Sequence, residues 1–144
     1  MAMTNWGRAK YEGLGKAGKG HVWTKSGALD AQPYGFQTRF EDEPGTNPEE
    51  QIAVAHASCF TMALSFALAK AGHEDGTLET KATVKLEKEG DGFRIASSML
   101  ELTGAVPGLE RAKFEELAQG AKENCPVSKV LRCEIGLTIA GFEG

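Results

Sequence analysis

One stretch constrains this chain more than any other. From Ile52 to Ala69 it reads Ile-Ala-Val-Ala-His-Ala-Ser-Cys-Phe-Thr-Met-Ala-Leu-Ser-Phe-Ala-Leu-Ala, apolar or small nearly all the way round a helix. A helix with no polar face has to be covered on every side. Its length approaches that of a membrane span. Alanine dominates it, however, and His56, Ser58, Thr61 and Ser65 interrupt it, with no second span elsewhere, so no membrane partner is expected. A chain of 144 residues forming one domain over 1–144 struggles to enclose such a helix alone. Packing against a second copy is the simplest solution, and an obligate homodimer is expected.

The helix has a clear beginning in Gly45-Thr46-Asn47-Pro48-Glu49-Glu50. Asn47 suits the N-cap and Pro48 the first helical position, where a missing N–H costs nothing. Glu50 falls where a capping box needs it. The pattern runs to about Ala71, with Gly72 as the stop.

Short strands are expected before this helix, at Trp6–Tyr11, His21–Lys25 and Tyr34–Glu41. In the last, alternation puts Tyr34, Phe36, Thr38 and Phe40 on one face and Arg39 on the other, polar face. Gly13 to Lys19 has the spacing of a phosphate-binding loop, but Gly20 replaces the required Ser/Thr and no helix follows, so a hairpin connection is the better reading. After the helix, Leu78–Glu87 and Phe93–Thr103 form a hairpin about Gly90-Asp91-Gly92, with Ala82, Val84 and Leu86 inward. Glu110–Lys122 is an amphipathic helix presenting Phe114, Leu117, Ala118 and Ala121. A single helical turn at Val127–Leu131 and a strand at Arg132–Phe142 complete an α+β chain, with two groups of strands around a central helix.

Twenty acidic against sixteen basic side chains give a net charge of −4, and no basic patch stands out, so nucleic acid is not expected as a partner. The first residues carry no basic stretch leading into an apolar run, which argues against a secretory signal and for the cytoplasm. Three cysteines in such a chain are core residues, metal ligands or redox thiols rather than a disulfide framework. Cys133 alternates with Ile135, Leu137 and Ile139 and reads as a core thiol. Cys59 lies too deep in its helix for the helix dipole to act on it; as a nucleophile it needs a cation from another element, and otherwise it is inert. Cys125 precedes Pro126 where a short helix begins, an accessible position suited to an exchanging thiol. His56-x-x-Cys59 could also offer two metal ligands on one helix face, with Cys125 a third, though no Cys-x-x-Cys pair supports zinc. His21 and His73 border loops, and no Ser/His/Asp arrangement is legible.

Pro33-Tyr34-Gly35-Phe36-Gln37-Thr38-Arg39-Phe40, Gly45-Thr46-Asn47-Pro48-Glu49-Glu50, Ala55-His56-Ala57-Ser58-Cys59-Phe60 and Cys125-Pro126-Val127-Ser128-Lys129 stand in this order along nearly the whole chain. Together they closely resemble the OsmC/Ohr family, most of all its osmotically inducible branch of organic hydroperoxide reductases. The resemblance implies an intertwined homodimer, with antiparallel sheets from both chains wrapped around long central helices and active sites at the subunit interface. It implies Cys59 as the peroxidatic cysteine and Cys125 as the resolving one. Arg39 would stabilise the thiolate and Glu49 would hold Arg39, while Glu50 is better explained as a cap. No cofactor or metal is implied; the electron donor would be an external small or lipoyl-type dithiol.

Glu49 and Cys59 are ten residues apart on one helix, about 15 Å along its axis. An arginine cannot comfortably touch both within one chain, so a site using both draws on a second subunit. The expected chemistry is reduction of organic hydroperoxides, and hydrogen peroxide less efficiently, through a Cys59 sulfenic acid and a Cys59–Cys125 disulfide. The alternative is a non-enzymatic dimeric stress protein holding an apolar ligand or a metal in the same cleft.

Overall fold

The computed structural model describes residues 1–144 and divides into two units, Met1–Gln51 and Ile52–Gly144. In the first, strands β1 (Gly7–Glu12), β2 (Lys19–Thr24) and β3 (Gln32–Tyr34) form an antiparallel sheet in sequence order. The segment with phosphate-loop spacing is the β1–β2 connection and contains one 3₁₀ turn, Gly15–Ala17. Register places Gly20 opposite both Tyr11 and Tyr34. A side chain at Gly20 would run into the Tyr34 ring, so the glycine lets the two tyrosines meet edge to face, with centroids 5.9 Å apart.

The expected strand at Tyr34–Glu41 is not formed. β3 ends at Tyr34, and Phe36–Phe40 is a short helix, α1. The reason is local. The Thr38 hydroxyl accepts the Gly35 N–H at 2.8 Å and bonds back to the Gly35 carbonyl at 3.1 Å, which captures backbone groups that a strand would have offered to a neighbour. Phe36 and Phe40, read as same-face neighbours of a strand, are one helical turn apart instead, with centroids 5.0 Å apart.

Helix α2, Pro48–Lys70, starts and stops where the sequence requires. The Asn47 side chain accepts the Glu50 N–H at 2.8 Å, as an N-cap should. The Glu50 carboxylate accepts the Thr46 hydroxyl at 3.0 Å, so the box closes on Thr46. Gly72, at φ 95°, takes the left-handed conformation that ends the helix.

In the second unit, β4 (Thr77–Glu89) and β5 (Gly92–Ala105) form the expected hairpin about Gly90-Asp91. Helices α3 (Arg111–Asn124) and α4 (Pro126–Val130) then cross over to β6 (Glu134–Glu143), which pairs with β5 in parallel. The sheets are therefore antiparallel except for this one pair, as a helical crossover permits. The core joins every fourth residue of α2, namely Phe60, Leu64 and Leu68, to Leu100 and Leu102 of β5 and to Phe114, Ala118 and Ala121 of α3. Each large side chain so buried contributes about 1.5–3 kcal/mol. Gly104 belongs to this packing, because a Cβ there would come within 2.5 Å of the Phe114 ring.

Within this unit α2 is not covered all round. Val54, Met62 and Phe66 are 64%, 60% and 68% exposed, on the side away from the buried stripe. By length and composition the helix could cross a membrane, but its buried stripe is the centre of this unit's core.

Candidate active site

Two of the four expected site residues come together in the first unit. Arg39, on α1, reaches Glu49 in the first turn of α2. Its Nε lies 3.1 Å from each carboxylate oxygen and Nη2 lies 2.5 Å from Oε1. This is a forked, charge-assisted pair that fixes the guanidinium plane as well as its place. Arg39 is thus not the solvated strand residue that alternation suggested; its side chain is 35% exposed and that of Glu49 12%. The surrounding loop is pinned by the Asn47 amide donating to the Thr38 carbonyl at 3.2 Å and the Thr46 N–H to the Pro33 carbonyl at 2.8 Å. Arg39 borders an open cleft of about 340 Å³ whose walls include Tyr11, Tyr34, Phe36 and Phe40, with Lys16 at its edge. Such a lining suits an apolar organic group better than a small polar one.

The other two, Cys59 and Cys125, come together in the second unit. Both are free thiols, and each lies near enough to shift the other's ionisation. Cys59 is half-buried on α2. Cys125 joins α3 to α4 and is fully buried, so the accessible exchanging position expected for it is not observed. Its Cys-Pro step is open locally, but the packing of α2 and α3 closes over it. Cys133 sits half-buried just ahead of β6 rather than within the strand.

The two thiols differ in their electrostatics. Burial pushes the Cys59 thiol up, its bond to Cys125 pushes it further, and the Val127 N–H offsets part of this. Burial also acts to raise Cys125, but bonds from Cys59, from the Ser128 N–H and hydroxyl and from the Val127 N–H outweigh it and pull the thiol down. The surroundings of Cys59 within its own unit therefore do not ready it as a nucleophile. A cation has to be added, as its depth in the helix already required.

One residue that sequence reasoning placed only as a metal ligand has a different role. His56 is fully buried, its Nδ1 is 2.6 Å from the Ser98 hydroxyl, and its Nε2 is 2.8 Å from the Ser128 hydroxyl. Both ring nitrogens are engaged, so neither is free for zinc. Burial holds its pKa below the ordinary 6.5, which keeps the ring neutral near pH 7. His56 leads the stripe of Phe60, Leu64 and Leu68, and Ser98 lies in line with Leu100 and Leu102. In sequence His56 keeps helical step with Phe60, Leu64 and Leu68, but a helix apolar all round does not mark that stripe as the buried one.

Residues 40–140 match the family model described as OsmC-like protein. The chain belongs to the OsmC-like family. Glu49, Cys59 and Cys125 fall inside the matched segment, and Arg39 immediately precedes it. The chain is 50% identical over 137 residues to peroxiredoxin OsmC of Escherichia coli (strain K12), covering 95% of this chain and 96% of that protein. It is 30% identical over 121 residues to the organic hydroperoxide resistance protein OhrB of Bacillus subtilis (strain 168), covering 83% and 87%. The crystal structure of Bacillus subtilis OhrB superposes with a TM-score of 0.68 at 30% identity, covering 96% of this chain and 98% of that one. This OsmC-like chain thus shares its α+β architecture with proteins named for peroxide chemistry.

Proposed function

We propose that this chain is a thiol-dependent peroxidase that reduces organic hydroperoxides to alcohols, with Cys59 as peroxidatic and Cys125 as resolving cysteine. The observation that carries the residue assignment is the neighbouring pair of free thiols, one half-buried and one fully buried. Exposure decides their order. A peroxide can meet Cys59, whereas Cys125 can only be met by Cys59 itself.

In the first step the Cys59 thiolate attacks the distal oxygen of the hydroperoxide. An S–O bond forms, the O–O bond breaks, and the alkoxide takes a proton to leave as alcohol. Arg39 stabilises the thiolate and the charge growing on the leaving oxygen, with its fork held by Glu49. The aromatic cleft bordering Arg39 receives the organic group, which favours organic hydroperoxides over hydrogen peroxide. In the second step Cys125 attacks the sulfenic sulfur, the S–S bond forms and water leaves. An external dithiol, small or lipoyl-type, reduces the disulfide by exchange. No prosthetic group takes part, and both units work as one domain of a soluble, cytoplasmic stress-defence enzyme.

Mass spectrometry after one equivalent of cumene hydroperoxide tests this reading. The expected product is a Cys59–Cys125 linkage. Cys125→Ser is expected to accept one oxidation, fail to form the linkage and drift to sulfinic acid at Cys59. Absence of the linkage in the unmodified protein would remove the assignment of Cys125 and favour a non-enzymatic binder.

The enzyme acts as a homodimer, with Arg39 and Glu49 of one subunit serving Cys59 of the other. Support comes from the exposed Val54, Met62 and Phe66 on α2 and from the 15 Å that separates Glu49 and Cys59 along an ideal helix. Phe66→Glu would place charge in that interface. Size-exclusion chromatography with light scattering is expected to show a shift from dimer to monomer, with peroxidase activity lost in parallel. A monomeric unmodified protein with full activity would defeat the shared site.

A further inference from the structure

We propose that His56 is a positioning residue for the resolving step, orienting the Ser128 hydroxyl so that it donates into the Cys125 sulfur and keeps that sulfur ready to attack oxidised Cys59. The inference rests on the assignment of Cys125 as the resolving cysteine and adds residues to its mechanism.

The contacts form a chain, and one of its two directions serves Cys125. Ser98 Oγ lies 2.6 Å from His56 Nδ1, and His56 Nε2 lies 2.8 Å from Ser128 Oγ. Ser128 in turn lies by Cys125, where its hydroxyl and N–H help to hold the thiol down. A neutral imidazole has one N–H and one bare nitrogen. If the Ser128 hydroxyl spends its hydrogen on Cys125, its oxygen must accept from His56 Nε2–H. Nδ1 is then bare and accepts from the Ser98 hydroxyl. Every donor is used once, and no buried side-chain nitrogen or oxygen in the structure lacks a partner. The titratable groups in this chain are Cys59 from α2, which bonds Cys125 directly, and His56, also from α2, which acts through Ser128.

The chemistry explains why such a chain is useful. In resolution the Cys125 thiolate attacks the sulfur of Cys59–SOH. The S–S bond forms, the S–O bond breaks, and hydroxide leaves and takes up a proton as water. Once Cys59 is a sulfenic acid it no longer presents its thiol hydrogen to Cys125. The Ser128 donors and the Val127 N–H remain, and only the hydroxyl among these depends on another side chain for its direction. A fully buried sulfur that must be ionised without a cation of its own depends on such donors.

The test follows one turnover of the full-length protein, mixed with one equivalent of cumene hydroperoxide between pH 5 and 9. Cys59 sulfenic acid is trapped with dimedone, and the Cys59–Cys125 disulfide is quantified by mass spectrometry. Ser128→Ala is expected to move the pH midpoint of disulfide formation up by about one unit, slowing it about tenfold below that midpoint. Sulfenic acid formation should be no slower than in the unmodified protein, because the two thiols compete for one negative charge. Ser128→Thr keeps a hydroxyl and should restore the midpoint. His56→Gln, checked for folding by circular dichroism, should shift it in the same direction as Ser128→Ala. An unchanged midpoint in Ser128→Ala, or equal slowing of both steps, overturns the proposal. Failure of the unmodified protein to form the disulfide overturns it together with the assignment of Cys125, and the two failures are told apart by that control.

Discussion

Cys59→Ser is expected to abolish peroxide turnover, with kcat/KM for cumene hydroperoxide falling by about three orders of magnitude or more. A serine hydroxyl at this position does not ionise in the working pH range, and its oxygen is a far weaker nucleophile toward a peroxide than sulfur. Cys125 is not placed to take over. It is fully buried, and a serine at position 59 has no thiol through which oxidation could be passed to it. The fold should be indifferent to the change, because serine differs from cysteine by one atom and the site is only half-buried. Cys133→Ser serves as the internal comparison, since its half-buried position ahead of β6 gives it no link to the thiol pair. Retention of more than about a tenth of the activity in Cys59→Ser would end the case for a Cys59 mechanism, whatever the behaviour of the other thiols.

The parts of this fold that were legible in the sequence are those written in local chemistry. The start of α2 is carried by Asn47 and Pro48 and its end by Gly72, and each residue has only one comfortable use there. The β4–β5 hairpin is announced by Gly90-Asp91 between alternating arms. The segment at Tyr34–Glu41 is ambiguous in sequence because residues four apart, such as Phe36 and Phe40, share one face of a strand and equally one face of a helix, and the Thr38 bonds to Gly35 decide between them. Burial of Cys125 was illegible for another reason. Its local sequence describes an opening, while part of its cover comes from α2, some sixty positions away.

His56 shows the same limit from the other side. In a helix apolar all round, the stripe of His56, Phe60, Leu64 and Leu68 has no contrast against its neighbours, so the sequence does not say which face is buried. Once β5 supplies Ser98 beside Leu100 and Leu102, the histidine has a reason to sit inside. The structure thereby turns an apparent metal ligand into a hydrogen-bonded link between Ser98 of β5 and Ser128 of α4.

Arg39→Met is expected to lower kcat/KM for cumene hydroperoxide by about 10²–10³, the usual cost of losing one oriented electrostatic donor from a transition state. The argument begins with what Cys59 lacks. Burial and the bond to Cys125 hold its thiol up, and only the Val127 N–H works against them. Without a cation the thiolate fraction near pH 7 is small, so the variant should show a raised pH midpoint for Cys59 alkylation as well as slow turnover. Arg39→Lys separates charge from geometry. It supplies a point charge that cannot span both oxygens of Glu49 as the guanidinium does at 3.1 Å from each, so an intermediate loss of about tenfold to a hundredfold is expected. Stability should also fall, by about 1–3 kcal/mol in Arg39→Met, because the Glu49 carboxylate, only 12% exposed, is left without its partner. The measurement that decides is the pairing of the two readouts. If Arg39→Met slows turnover while leaving the Cys59 midpoint where it was, the arginine acts on the leaving oxygen alone. If neither moves, Arg39 and Glu49 are a structural pair, and the cation that Cys59 requires has to be another group.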